Sequence, residues 1–324
     1  MQVVLPAAAV VYLIVSLSRL PAGVVSAWAD SRPWSASTLW LLLLLAVLSF
    51  SHWLMEAVKW RLLAGKLEQI SLAGAFRGVL VGVSLGMITP KRSGEYAGRA
   101  LLLKEGNRLS GMVAQAAGSL AQLMVTLTGG MIALGLLCAG LAGPDAFSGP
   151  DPWLWLSGAG VFMVLLWVVL WLVRGPFCRY AARPGSGKRL RSLLVVRQLS
   201  RSDFGLLLLI SAARYTVFVV QFALLLQLFG TPLGPLLAFA LLAIIFLVMN
   251  FIPVSALAEV GVKGSVALVV VPVVYTSGPY SAADAGLAVT AAVMALWLIN
   301  LALPALAGAL LAMSSGKRSK PGTQ

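Results

Sequence analysis

Of the ten acidic residues, Glu56, Glu95 and Glu259 stand in apolar sequence beside a base. Glu95 is followed four residues later by Arg99, and Glu259 by Lys263. Glu before base at that spacing is the favourable order for pairing on a helix. Such a pair can neutralise itself and let the helix sit in a membrane. It can also open to a ligand, the carboxylate taking an amine or a proton and the base a phosphate. Both pairs follow a break. The first reads Ile88-Thr89-Pro90-Lys91-Arg92-Ser93-Gly94-Glu95, the second Phe251-Ile252-Pro253-Val254-Ser255-Ala256-Leu257-Ala258-Glu259. Proline lacks a backbone donor and ends the helix behind it. The helix that starts after the break turns free N–H groups and its positive dipole end to the gap, where anions bind well. Lys91 and Arg92 add charge beside the first gap, and Gly94 gives the turn its freedom.

Other polar residues lie inside apolar runs. Arg214 is about ten residues into one such run, near mid-depth for a spanning helix. It has no acidic neighbour three or four residues away, so its expected partner is on another helix or is a ligand. Glu56 has His52 and Lys59 in reach on its own helix, and an interfacial cluster is its expected role. Gln115, Gln122, Asn250 and Asn300 are expected to form interhelical hydrogen bonds. One histidine and two cysteines build neither a metal site nor a Ser/His/Asp arrangement, and no cofactor is expected. Gly185-Ser186-Gly187-Lys188 is too fragmentary for a nucleotide loop. Cys138 and Cys178 are expected on opposite sides and unbridged.

The elements that hold these residues follow from composition. The 324 residues are 60% hydrophobic and only 10% charged, with a mean hydropathy of +0.95. Soluble chains carry roughly 25% charged residues. A soluble enzyme, a disordered chain and a disulfide scaffold are therefore excluded in favour of an all-α polytopic membrane protein. Residues 1–316 form a single integral membrane domain and 317–324 a basic tail. Runs at 3–19, 38–60, 110–142, 153–174, 204–229 and 284–312 are long enough to span, giving about six spans. Regions 72–103 and 235–276 are apolar but broken.

The net charge of +14 reads as cytoplasmic loops, with no nucleic acid as partner. Basic segments 59–77, 174–203 and the tail are expected inside, and loop 143–152, with Asp145 and Asp151, outside. Both termini then lie in the cytoplasm, although Arg19 and Arg32 outweigh Asp30 in the first external loop. Ala27-Trp28-Ala29 resembles a signal cleavage site, but no base precedes the apolar run, so cleavage is not expected. Because Lys104–Arg108 is also basic, region 72–103 must return to the side it left. Region 235–276 returns to the outside. Each is thus a hairpin, re-entrant or a pair of short helices, and together they read as an inverted repeat. Paired interruptions of this kind point to a midplane binding site in transporters. Gly74, Gly78, Gly82 and Gly86 make a smooth ridge suited to close helix packing.

Thr89-Pro90-x3-Gly94-Glu95-x3-Arg99, with Ser119-Leu120-Ala121-Gln122-Leu123 after it, resembles the transmembrane, flippase-like domain family of lysylphosphatidylglycerol synthase. Ile252-Pro253-x4-Ala258-Glu259-x-Gly261-x-Lys263-Gly264-Ser265 resembles that family's second hallmark, and Trp297-x2-Asn300-x3-Pro304-x3-Gly308 its final helix. The similarity runs from about Thr38 to Met313. It implies a multi-pass protein of the bacterial cytoplasmic membrane that moves lipid between leaflets. Full-length synthases add a soluble aminoacyl-transfer domain, which is not expected here because the sequence stops soon after the last span. Lys91-Arg92 and Lys263 depart from the family pattern and alter the charge around the expected pocket.

The expected function is translocation of an anionic or aminoacylated phospholipid, or of a polyprenyl-phosphate carrier. Lys91, Arg92, Arg99, Arg214 and Lys263 would hold the phosphate, and Glu95 and Glu259 an amine or a coupling proton. Two alternatives stand beside it: an intramembrane enzyme with Glu95 or Glu259 as general base, and a non-catalytic partner of a separate lipid-modifying enzyme.

Overall fold

A computed structural model describes residues 35–89, 92–141, 157–158, 160–161, 164, 192–229, 233–252, 262–263, 265–267, 270–271 and 282–316. The described residues form helices and turns, with no strand among them. In chain order the helices are α1 (Ala36–Ala64), α2 (Leu72–Met87), α3 (Gly94–Ala100), α4 (Arg108–Leu136), α5 (Val195–Gln198), α6 (Arg201–Leu228), α7 (Pro235–Phe251), α8 (Ala282–Trp297) and α9 (Leu303–Gly316).

Four apolar segments are long enough to cross a membrane: Ala36–Ala64, Glu105–Ala139, Arg201–Leu228 and Ala288–Ser314. Only 28–33% of the first three is buried, so most of their apolar surface faces outward, as in a helix bathed in lipid. The chain is a helical membrane protein. Of the six spans expected from the sequence, 3–19 lies outside the described residues and 153–174 almost wholly so.

Local chemistry sets the helix ends. Ser35 and Ser71 accept hydrogen bonds from the N–H groups of Thr38 and Gly74, at 3.3 and 3.0 Å. Ser200 and Asp203 form a reciprocal capping box at the start of α6. Pro235 opens α7, where its missing donor costs nothing. Between α8 and α9 the chain passes through a π-helical turn, Leu298–Ala302. Pro304 follows it, unable to donate to the carbonyl of Asn300 and crowding it, which widens the turn there.

The chain divides into two compact units. The first includes α1–α3, the start of α4 through Ala116, and the chain from Ala295 onward. In it α2 packs against α1, α3 and α9. The Ser84 hydroxyl of α2 donates to the Ala305 carbonyl of α9, and Gly308 lies so close to the Leu80 carbonyl that no Cβ would fit. The second unit includes α4 from Ala117, α6, α7 and α8 through Met294. There α6 packs on α7. Tyr215 meets Phe239 and Phe246 edge-on, with ring centroids 6.4 and 6.3 Å apart.

Region 72–103 is a pair of short helices, as the broken hydropathy predicts. α2 ends at Met87, the chain turns, and α3 starts at Gly94. The two run antiparallel: Leu102 faces Gly78, Gly98 faces Gly82 and Glu95 faces Gly86. At the open end of this hairpin the Glu68 carboxylate accepts from Lys104 N at 3.2 Å and from Asn107 Nδ2 at 2.7 Å. That clamp holds the entering and leaving strands of chain side by side. In region 235–276, α7 ends at Phe251, and Pro253 lies outside the described residues.

Candidate functional site

The first unit gathers charged side chains from α1 and α3 into one continuous series. Lys59 Nζ lies 3.1 Å from Glu56 Oε2. Glu56 Oε1 accepts from Arg99 Nη1 at 2.5 Å. Arg99 Nη1 also donates to Gln115 Oε1 at 3.0 Å, and Nη2 reaches Glu95 Oε2 at 3.4 Å. Arg92 Nε donates to Glu95 Oε1 at 2.6 Å, with its Nη2 on the same oxygen. The order is Lys59, Glu56, Arg99, Glu95, Arg92, so the charges alternate from end to end. Three cations face two carboxylates, which leaves a net charge of +1.

Exposure is graded along the series. The side chains of Lys59, Glu56 and Arg99 are at most 4% exposed, Glu95 is 14% exposed and Arg92 36%. The inner members are tolerable in an apolar interior only because each meets an opposite charge. The outer end is accessible.

The sequence builds this site through four devices. The i,i+3 spacing of Glu56 and Lys59 puts both on one face of α1. The i,i+4 spacing of Glu95 and Arg99 does the same on α3. The glycine ridge of α2 makes room for them. A Cβ on Gly82 would stand 2.8 Å from Arg99 Cγ, and one on Gly86 only 2.5 Å from Glu95 Cγ. The turn that aims α3 is fixed by Thr89, whose hydroxyl accepts from Gly94 N at 2.7 Å and donates to the Leu85 carbonyl at 3.1 Å. Arg92 has φ 56°, a left-handed conformation that costs an L-residue roughly 1–2 kcal/mol. Its two contacts with Glu95 hold it there.

Local spacing pairs Glu95 with Arg99, either closed on itself or open to a ligand, and the two are in contact at 3.4 Å. The closer carboxylate to Arg99 is instead Glu56, 43 positions away in sequence. Glu56 was expected in an interfacial cluster with His52 and Lys59. It is 3% exposed and is the hub between two cations. Gln115 had an interhelical hydrogen bond as its expected role, and it braces Arg99 from α4. The one sequence signal that bears on Glu56 as a hub is its position eight residues inside the end of an apolar helix. Arg99 Nε is buried with no hydrogen-bond partner, one donor of the site left open.

The remaining expected site residues lie elsewhere. Pro90, Lys91, Pro253 and Glu259 are outside the described residues. In the second unit, Arg214 is 9% exposed, and its Nη1 donates to Gln122 Oε1 at 3.3 Å. Lys263 Nζ sits 5.6 Å from the centroid of the Phe246 ring, in range of a cation–π contact. Asn250 Nδ2 donates to its own helix, at the Phe246 carbonyl, 2.8 Å away. Asn300 is buried in the π-helical turn of the first unit. Among the described residues no group of three or more His, Cys, Asp or Glu is arranged to hold a metal.

Chemically, the series is a relay of exchangeable ion pairs. An anion arriving at Arg92 can take the place of Glu95, and a cation can take the carboxylate so released. No family model, curated protein or solved structure matches the chain.

Proposed function

We propose that the protein is a lipid translocator of the bacterial cytoplasmic membrane, with the outer end of this ion-pair series as its headgroup site. The observation that carries the proposal is the graded, alternating order: two buried pairs anchor the series, and its last cation is reachable. A lipid phosphate binds Arg92 in a charge-assisted, two-point contact. Glu95 then turns to Arg99, or to the amine of an aminoacylated headgroup. Phosphate and amine on one headgroup match Arg92 and Glu95 side by side. A plain anionic phospholipid or a polyprenyl phosphate uses Arg92 alone. The lipid tails stay in the bilayer, because only the headgroup needs a polar contact at depth.

Depth supports the same proposal. Gly82, opposite Arg99, is about 15 Å along α2 from Leu72. With the open end of the hairpin at a membrane surface, that is half of a hydrocarbon core ~30 Å thick. The intramembrane-enzyme alternative, with Glu95 or Glu259 as general base, is less well supported at Glu95, whose two oxygens already accept from the Arg92 and Arg99 guanidinium groups and keep few acceptor positions for a substrate proton.

The test is leaflet exchange of fluorescent phosphatidylglycerol in proteoliposomes of the full chain, read by quenching from outside. Arg92→Ala and Glu95→Gln should each slow exchange about tenfold, the scale of one charge-assisted hydrogen bond. Arg92 is exposed enough for its alanine variant to fold. Wild-type exchange rates in both variants would remove the proposal. A chemically altered lipid would favour the enzyme, and neither exchange nor chemistry would favour an assembly partner.

A further inference from the structure

A groove of about 960 Å³ lies on the first unit, away from the ion-pair series, between α1, α2 and α9. Phe50 and Leu54 of α1, Phe76 and Leu80 of α2, and Leu311 of α9 give it apolar walls. The Phe50 and Phe76 rings stand 5.8 Å apart. Phe50 is 60% exposed, on the side of α1 that also bares Trp40, Leu43 and Val47, so the groove opens where the helix meets lipid. On α2, Phe76 and Gly78 are two residues apart, about 200° around the helix. The groove therefore uses the face of α2 opposite the glycine ridge that seats Glu95 and Arg99.

One cation breaks the apolar lining. Arg77 Nη2 makes a 3.5 Å contact to the Leu311 carbonyl, and among the described residues no carboxylate pairs with it. Its place along the groove is informative. Arg77 is about 7.5 Å from the start of α2, level with the Phe50–Phe76 ring pair, whereas Leu80 is about 4.5 Å deeper and lies against Gly308 of α9. The groove thus runs along α2 from Leu80 toward Leu72, and the cation stands about one turn nearer the start of the helix than the deepest apolar lining residue.

We propose that this groove holds a phospholipid, with one acyl chain against Phe50, Phe76 and Leu80 and its phosphate on Arg77. An apolar lining that continues at Leu80 beyond a cation with no carboxylate partner among the described residues is complementary to an acyl chain joined to a phosphate, and to neither alone. Transferring the chain from bulk lipid into the groove gains little by itself, since both are apolar. Selectivity for the phosphate-bearing lipid must therefore come from Arg77. The site is separate from the proposed headgroup site and does not depend on translocation.

The full chain in maltoside micelles, free of competing phosphate, is irradiated with phosphatidylglycerol carrying a diazirine on one acyl chain. A diacylglycerol with the same diazirine serves as the phosphate-free control. Crosslinked peptides should contain Phe50–Leu54, Phe76 or Leu311. Arg77→Gln should lower phosphatidylglycerol labelling there about tenfold and leave diacylglycerol labelling unchanged, as expected for losing a hydrogen bond to a charged group. Ala73→Trp, at an exposed lining position, should lower both by filling the groove. Arg92→Ala should change neither, whatever it does to exchange, which separates this site from the headgroup site. Equal labelling of wild type and both groove variants would overturn the proposal, and so would crosslinks between two copies of the chain in place of the probe. Equal loss of both probes in Arg77→Gln would mean that the residue only shapes the groove, and would overturn the phosphate contact.

Discussion

Glu56 is the residue on which the charge balance of the first unit turns. It separates Lys59 from Arg99, and all three are almost wholly buried. Glu56→Gln would remove the carboxylate charge that Lys59 and Arg99 both contact. Breaking a buried ion pair by removing one partner costs ~3–5 kcal/mol, and a spanning helix offers little water to relieve it. The variant should therefore unfold well below the wild-type temperature in detergent. Glu56→Gln combined with Lys59→Met should recover part of that loss, because Arg99, Glu95 and Arg92 still alternate. A double variant less stable than Glu56→Gln alone would contradict the serial arrangement of charges, since independent sites simply add. The residues of the series were visible in the sequence, but their wiring was not. Spacing reveals only partners within one turn on the same helix, and the decisive contact joins Glu56 to Arg99 across the fold.

The hairpin of α2 and α3 shows what periodicity reveals and what it leaves out. Glycine at 74, 78, 82 and 86 marks one face of a helix and predicts close packing. It does not say that the packing partner carries a Glu and an Arg. That follows only once the turn through Thr89 lays α3 back along the ridge. The break was legible for a simpler reason: proline and polar residues interrupt an apolar run. At the crossing, a Cβ on Gly98 would lie 2.6 Å from Gly82 Cα, a backbone atom that cannot swing aside. Gly98→Ala should therefore push α3 off α2, at a cost near the upper end of the ~1–3 kcal/mol seen for overpacked sites. Arg99 would be displaced with it, so both unfolding temperature and lipid exchange should fall. Gly106→Ala is the matched control. Nothing lies within 4 Å of its new methyl, and it should stay within ~0.5 kcal/mol of wild type.

At the scale of the whole chain, the surplus of cations and the hairpin make one joint demand on topology. The open end of the hairpin carries Lys66, Lys104 and Arg108, and the Glu68 clamp keeps its two sides level. Basic loops stay in the cytoplasm, so that end is predicted to lie there. On that prediction the closed end, with Arg92 and Ser93, would end inside the membrane, because α2 is about 24 Å long and falls short of a hydrocarbon core of ~30 Å. Single cysteines at Gly106 and Ser93, in a chain with Cys138 and Cys178 replaced, test both halves of that demand. Both positions are exposed. Gly106→Cys should react with a membrane-impermeant maleimide from the cytoplasmic side alone. Ser93→Cys should react more slowly, and its labelling should be suppressed by phosphatidylglycerol that occupies neighbouring Arg92. Fast labelling of Ser93→Cys from the outer side alone would mean that α2 crosses the bilayer completely. The clamp at the open end would be unaffected, but the shallow insertion argued from the length of α2 would have to be abandoned.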